Sequence, residues 1–142
     1  MTRTAKRLVK YIKIPPIEDD CLLMFAQFPN IPFEIKRVYY ILQPKPNLPR
    51  GFHAHRQTKQ VLFCIQGSIK IILDDGKKRK EVILNKPNIG IFLDSLIWHE
   101  MYKLDKNTIL LIMASKEYDP LDYIRDYKKF LKIVKKNETD PV

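Results

Sequence analysis

The chain has 142 residues, 45% hydrophobic and 30% charged, and its 26 Lys plus Arg against 16 Asp plus Glu give a net charge of +10. That balance excludes a disordered chain, and no apolar run approaches the ~18 residues of a membrane-crossing helix. The basic residues are scattered, with short runs only at 77–80, 128–129 and 135–136, and no recognition helix or aromatic RNA-binding motif accompanies them, so they read as solvated surface that attracts a small polyanion rather than nucleic acid.

The start, MTRTAKRLVKYIKI, is basic but lacks an apolar h-region and a small-residue cleavage site, so no secretory signal is read and a cytoplasmic location is expected. Cys21 and Cys64 sit inside the apolar runs CLLMF and VLFCI. Both are expected as small core residues in a reducing compartment, and neither has a second Cys or His at zinc-ligand spacing. From Phe33 to Leu42 the sequence is rich in β-branched and aromatic residues, with Phe33, Ile35, Arg37, Tyr39 and Ile41 on one alternating face. Further strands are expected at 60–65, 68–73, 79–84, 89–93, 98–103 and 108–114. Gln66-Gly67 and Asp75-Gly76 read as hairpin turns, and Pro87-Asn88 as another connection. Six or more short strands at near-regular spacing predict a sandwich or barrel rather than βαβ units.

The period changes after Pro120. Leu121, Ile124, Tyr127, Phe130, Leu131 and Val134 recur at helical spacing, which predicts one amphipathic helix over about 120–136, with Asp119 as N-cap and Pro120 at the first helical position. The last residues, NETDPV, are expected to fray. No repeat, linker or second domain is visible, so residues 1–142 are read as a single domain, with a barrel over about 8–116.

Chemistry concentrates in Arg50-Gly51-Phe52-His53-Ala54-His55, followed by Gln60 and Gly67. On a strand, positions i and i+2 share a face about 7 Å apart, so His53 and His55 project into one cavity. Three readings remain open for the pair. They are barrel-lining residues satisfied by hydrogen bonds, metal ligands of a barrel strand, or metal-free acid/base groups working near neutral pH. Gly51, His-x-His, four residues, Gln60, six residues and Gly67 match the first cupin motif, except that glutamine replaces the usual acidic ligand. A neutral amide weakens a divalent site. His99, in Leu96-Ile97-Trp98-His99-Glu100-Met101, is the remaining histidine. It is either a third ligand or a polar residue at a strand end, with Trp98 in the core.

In order along residues 31 to 130, KRVYYI (36–41), RGFHAH (50–55), Gln60, Gly67-Ser68, LDDG (73–76), WHEM (98–101) and YDPLDYIRDY (118–127) resemble the dTDP-4-keto-6-deoxyglucose 3,4-ketoisomerases. RGFHAH together with the DYIR block carries most of that resemblance, since His-x-His alone occurs in many cupins. The resemblance implies an all-β cupin or jelly-roll barrel with a C-terminal amphipathic α-helix. It also implies a homodimer with exchanged N-terminal strands, no cofactor and no metal requirement. A role ahead of an aminotransferase in making 3-amino-3,6-dideoxy sugars for surface polysaccharides such as O-antigen comes entirely from it. Related enzymes often carry Asp-x-x-Gly-x-Leu before the second strand, whereas residues 17–22 here read Ile-Glu-Asp-Asp-Cys-Leu, without glycine.

The expected reaction moves a ketone from C4 to C3 of a dTDP-linked hexose through an enediol. His53 is expected to take the C3 proton, His55 to shuttle protons at the sugar oxygens, and Tyr39, by resemblance, to donate or relay from its hydroxyl. Arg50 is the first candidate for the diphosphate and Arg37, on Tyr39's face, the second. Gln60 is expected to bond the sugar or position an imidazole, and His99 to contact the sugar. The competing readings are a metal-dependent cupin enzyme using His53, His55 and His99, a non-catalytic sugar-binding cupin, and a dTDP-sugar epimerase. The last typically pairs one His with a distant Asp–His couple. The product's C4 stereochemistry, the final sugar and the aromatic that stacks on thymine are not encoded in any motif.

Overall fold

The computed structural model describes residues 7–139. Its strands form two antiparallel five-stranded sheets. The first runs β1 (Tyr11–Lys13), β9 (Ile89–Leu93), β6 (Gln60–Gln66), β11 (Ile109–Ala114), β4 (Arg37–Ile41). The second runs β12 (Tyr123–Ile124), β5 (Arg50–His55), β10 (Trp98–Tyr102), β7 (Ile69–Asp74), β8 (Arg79–Leu84). A small ladder joins β2 (Ile17–Glu18) to β3 (Leu22–Leu23), and one helix, α1 (Tyr127–Thr139), closes the described chain. From β4 to β12 every connection changes sheet except β7–β8. That is the jelly-roll path of a cupin, here with sheets that remain open along their edges.

The core follows from strict alternation. Leu62 and Cys64 of β6, Ile69, Ile71 and Leu73 of β7, Met101 of β10, and Leu110 and Ile112 of β11 fill the space between the sheets. Burying each such side chain contributes about 1.5–3 kcal/mol. Strands β6 and β11 are apolar on both faces because the outer face is covered too: Val61, Phe63 and Met113 pack under Ile12, Ile14 and Ile31. A third cluster seats α1 on the outside of the second sheet, where Phe130 meets Ala54, Trp98 and Ile124.

Several expectations change. Gln66-Gly67 is no hairpin; it carries the chain from one sheet to the other. Gly67 is required there at φ +81, where a Cβ would meet the Thr108 hydroxyl at 2.8 Å. Asp75-Gly76 is the expected hairpin turn between β7 and β8. The strand expected over 33–42 narrows to Arg37–Ile41, because Phe33 and Ile35 leave the ladder to pack on the outer cluster. Cys64 is buried as expected, but Cys21 is exposed in the turn of the β2–β3 ladder.

The largest correction is at the C-terminal helix. It starts at Tyr127, not Pro120, and continues to Thr139 rather than fraying at 137; residues 140–142 lie outside the described residues. Asp119 does cap a turn, accepting from Leu121 N, but that turn is a single 3₁₀ turn over Pro120–Asp122. Tyr123 and Ile124 then pair with His55 and Ala54 as the short strand β12, where a helix was expected. Asp126 caps α1 instead, its carboxylate accepting from Lys129 N at 3.0 Å.

Candidate active site

Along the barrel axis the inward-facing residues change character. On β4 the inner face reads Arg37, Tyr39, Ile41; on β6 it reads Gln60, Leu62, Cys64; on β10 it reads His99, Met101. One end of the interior is aliphatic and the other is polar. His53 and His55 of β5 complete the polar end. Their rings lie 5.1 Å apart, and His99, directly opposite His53 in the β5–β10 ladder, comes to 4.4 Å from it. His55 and His99 stack at 6.2 Å with planes 13° apart.

A β-bulge aims the pair. The register passes from His53↔His99 to Gly51↔Glu100, leaving Phe52 as the extra residue. Gly51 sits at φ +92 and Phe52 at φ +54. Such a φ is costly for a bulky aromatic, about 1–3 kcal/mol. Gly51 is obligatory, since a Cβ would lie 2.9 Å from the His99 carbonyl.

Each imidazole is fixed through Nδ1. His53 Nδ1 donates to the Gly51 carbonyl at 2.9 Å, and His99 Nδ1 faces the Ile97 carbonyl at 3.4 Å. A carbonyl only accepts, so Nδ1 carries the proton and Nε2 keeps its lone pair. His55 Nδ1 meets Asp122 Oδ2 at 3.2 Å, and His55 Nε2 is buried with no partner among the described residues.

Burial sets the charge state. It pushes His53 below the ordinary histidine range, with Arg125 adding to it and the Gly51 bond opposing. Burial, then His53, lowers His55 to about 4 despite the neighbouring Asp122. His99 is held well below the usual value by burial and by the other two imidazoles. All three are therefore neutral near pH 7, able to accept a proton. Tyr39 is the complement. Burial raises it to about 12, so its hydroxyl stays protonated. Gln60 Nε2 donates to the Tyr39 hydroxyl oxygen at 2.5 Å, leaving the phenolic proton free to be given away.

Gln60, expected at the sugar or an imidazole, is thus bonded to the tyrosine. Arg37 reaches the polar end, with its guanidinium 5.1 Å from the Tyr39 ring and 5.7 Å from Tyr118. Its Nε is buried without an acceptor among the described residues. Arg50 is exposed at the start of β5, opposite Met101 in the β5–β10 ladder. Trp98 is core as expected, packed on Tyr127 and Phe130. Among the described residues no group of three or more His, Cys, Asp or Glu side chains is arranged to hold a metal ion.

The sequence reading missed Asp122, Tyr123 and Arg125. Tyr123 lies 4.5 Å from His55 and 5.1 Å from His53, and the Arg125 guanidinium covers its outer side at 4.5 Å. Their signal was the DYIR block itself, hidden by the helical spacing that assigned it to α1. A cleft of about 850 Å³ opens beside Asp122, rimmed by Lys36, Arg56 and Lys116.

Residues 7–135 match the FdtA family, described as WxcM-like, C-terminal. Over 115 residues the chain is 44% identical to a TDP-4-oxo-6-deoxy-alpha-D-glucose-3,4-oxoisomerase of Aneurinibacillus thermoaerophilus, covering 81% of this chain and 83% of that one. Among solved structures, a 3,4-ketoisomerase from Helicobacter canadensis superposes with TM-score 0.86 at 42% identity, covering 89% of this chain and 97% of the other. A histidine-to-asparagine mutant of the 3,4-ketoisomerase QdtA from Thermoanaerobacterium thermosaccharolyticum, in complex with TDP-4-keto-6-deoxyglucose, superposes with TM-score 0.89 at 36% identity, covering 96% and 100%.

Proposed function

The chain belongs to the FdtA family, and from that premise we propose that it is a TDP-sugar 3,4-ketoisomerase acting on TDP-4-keto-6-deoxyglucose. The observation that carries this reading is the cluster of neutral, Nδ1-tethered imidazoles at the same polar end of the barrel as a protonated tyrosine. The C3 proton of the sugar is acidified by the neighbouring C4 ketone. His53 takes it through Nε2, and the C4 oxygen gains a proton from Tyr39 or a protonated imidazole, giving the enediol. Loss of the O3 proton to a neutral imidazole then regenerates a carbonyl at C3, while C4 receives a proton from an imidazolium. Two protons leave and two arrive, so no electron acceptor is needed. Two bases a few ångström apart serve both ends of the enediol, which a single base could not reach without the sugar turning.

For the diphosphate, Arg37 has the strongest support, because its buried Nε–H lacks an acceptor. Arg125 flanks the same end from β12's side. Arg50, exposed on β5, is retained as an outer contact. Tyr123 and Tyr118, 5.9 Å apart, each lie beside one of these cations, Tyr123 at 4.5 Å from Arg125 and Tyr118 at 5.7 Å from Arg37.

The second part of the reading is a homodimer. Edge strand β4 turns Val38 and Tyr40 to solvent and Leu42 follows just after it, each more than half exposed, and the β2–β3 ladder exposes Ile17, Leu22 and Leu23. An apolar edge of this kind calls for a cover. Because β1 pairs with β9 of its own chain, the β2–β3 segment is the one assigned to exchange. Light scattering on purified protein is expected to give twice the 16.9 kDa chain mass; a monomer would remove this part. The activity itself is tested by incubating the protein with TDP-4-keto-6-deoxyglucose and following the carbonyl carbon by ¹³C NMR. The C4 ketone signal is expected to give way to one at C3. Substrate that persists with folded enzyme would refute the assignment.

A further inference from the structure

Asp122 and His55 are 67 residues apart in sequence, yet Asp122 Oδ2 lies 3.2 Å from His55 Nδ1. The contact is built into the fold, because Tyr123 pairs with His55 and Ile124 with Ala54, and Arg56 N donates to the Asp122 carbonyl at 2.8 Å. The carboxylate is clamped as well. Oδ1 accepts from Gln57 N at 2.8 Å, and Oδ2 accepts from Thr58 N at 3.3 Å and from the Thr58 hydroxyl. At the other side of the ring, His55 Nε2 is buried and unpartnered among the described residues.

We infer that Asp122 is the positioning residue of the active site: its carboxylate accepts Nδ1–H of His55, holds that imidazole in a single tautomer, and thereby presents Nε2 as the atom that receives a proton from the sugar. His53 and His99 obtain the same tautomer from neutral carbonyls. Among the described residues only His55 of the three has an anionic partner, so it is the one that becomes half of an ion pair when it is protonated. That distinguishes the two strand neighbours. His55 is the imidazole able to store a proton between the two halves of the reaction, and His53 the one that returns quickly to neutral. It also narrows the contrast with the sugar epimerases, since this site has a distant Asp–His couple of its own.

Charge around His55 fits this division. His53 on the same strand, His99 on β10, Arg37 on β4 and Tyr123 on β12 all face it, and of the charged groups Asp122 alone favours its protonated form. Burial pushes the Asp122 carboxyl up, but the Thr58, Gln57 and His55 donors outweigh it and hold it below the usual range, so it is anionic near pH 7.

The inference rests on the ketoisomerase reading for its catalytic consequence but not for its structural one, so two readouts are used on full-length protein. The first is ¹⁵N NMR of the imidazoles, which needs no turnover. His55 in the wild type is expected to be neutral at pH 7 with its proton on Nδ1, and in Asp122→Asn to lose that single tautomer. The second is kinetics with TDP-4-keto-6-deoxyglucose. Asp122→Asn is expected to lower kcat by about 10²–10⁴-fold with KM changed less than about threefold, and Asp122→Glu to recover about tenfold or more of the loss. If Asp122→Asn does not fold, Thr58→Val replaces it. Removing the hydroxyl donor leaves Oδ2 a stronger acceptor, so the His55 titration should move to higher pH. A His55 with Nε2 protonated in the wild type, an unmoved titration in Thr58→Val, or a folded Asp122→Asn enzyme with wild-type kcat each overturns the inference. An inactive wild type with the expected His55 tautomer would instead sink the ketoisomerase reading and leave the Asp122–His55 couple standing.

Discussion

At the residue scale the site is a set of groups whose protonation states are chosen by what they touch. Carbonyls and one carboxylate tie up the Nδ1 atoms, burial keeps the rings neutral, and Gln60 orients a tyrosine that stays protonated. His53→Asn removes the proposed C3 base without changing its size much. Circular dichroism should match wild type while turnover falls by about 10²–10⁴-fold; near-wild-type turnover would move the base elsewhere. Tyr39→Phe is expected to be milder in rate, about 10²-fold at most. It also leaves the Gln60 amide buried and unpaired, at a cost of about 1–3 kcal/mol. A Tyr39→Phe/Gln60→Leu double variant should regain stability in urea unfolding but not activity. Independent, additive losses from the two changes would show that the bond contributes little.

At the element scale two devices bring the groups together, the bulge in β5 and the short strand β12. Gly51→Ala meets the His99 carbonyl at 2.9 Å from a φ of +92, so the bulge must shift and both histidines with it. A loss of about 1–3 kcal/mol is expected, read as a melting temperature several degrees lower together with reduced turnover. Phe130→Ala empties the contact among Trp98, Ala54 and Ile124 that docks α1, and should cost about 3–5 kcal/mol with the histidines still in place. The sequence announced β5 through His-x-His and a neighbouring glycine, and it announced seven further strands, β4 and β6 to β11, through alternation and turn residues. It concealed β12. Leu121, Ile124 and Tyr127 recur at helical spacing, yet Ile124 is buried through a strand pairing and Leu121 is exposed. Tertiary pairing overrode local period there, and Asp122 was hidden with it, because nothing local marks a carboxylate whose partner is 67 residues away. The Gln66-Gly67 turn misled for a related reason: a glycine marks a reversal but not whether the chain stays in its sheet.

At the scale of the whole molecule, the polar end of the barrel couples catalysis to stability. An unfolded histidine takes a proton near pH 6.5, whereas folded His55 does so only near 4. Between those values the unfolded state binds more protons, so stability is fully present above about pH 6.5 and declines as pH falls toward 4. His55 alone accounts for about 3 kcal/mol, and His53 and His99, also shifted down, add to the trend. Urea midpoints measured from pH 7.5 to 4.5 should fall accordingly; a flat profile would mean the imidazoles are not buried neutral. The aliphatic end of the interior stays packed, so the polar end is the part of the barrel left for the chemistry. What the arrangement must do is pass hydrogens between neighbouring ring carbons through exchangeable nitrogen. The direct test is turnover of TDP-4-keto-6-deoxyglucose in D₂O, followed by ¹H and ²H NMR of the product. Deuterium at C4 of a 3-keto sugar is the predicted result. A 3-keto product that carries only the original protium at C4 would contradict the account.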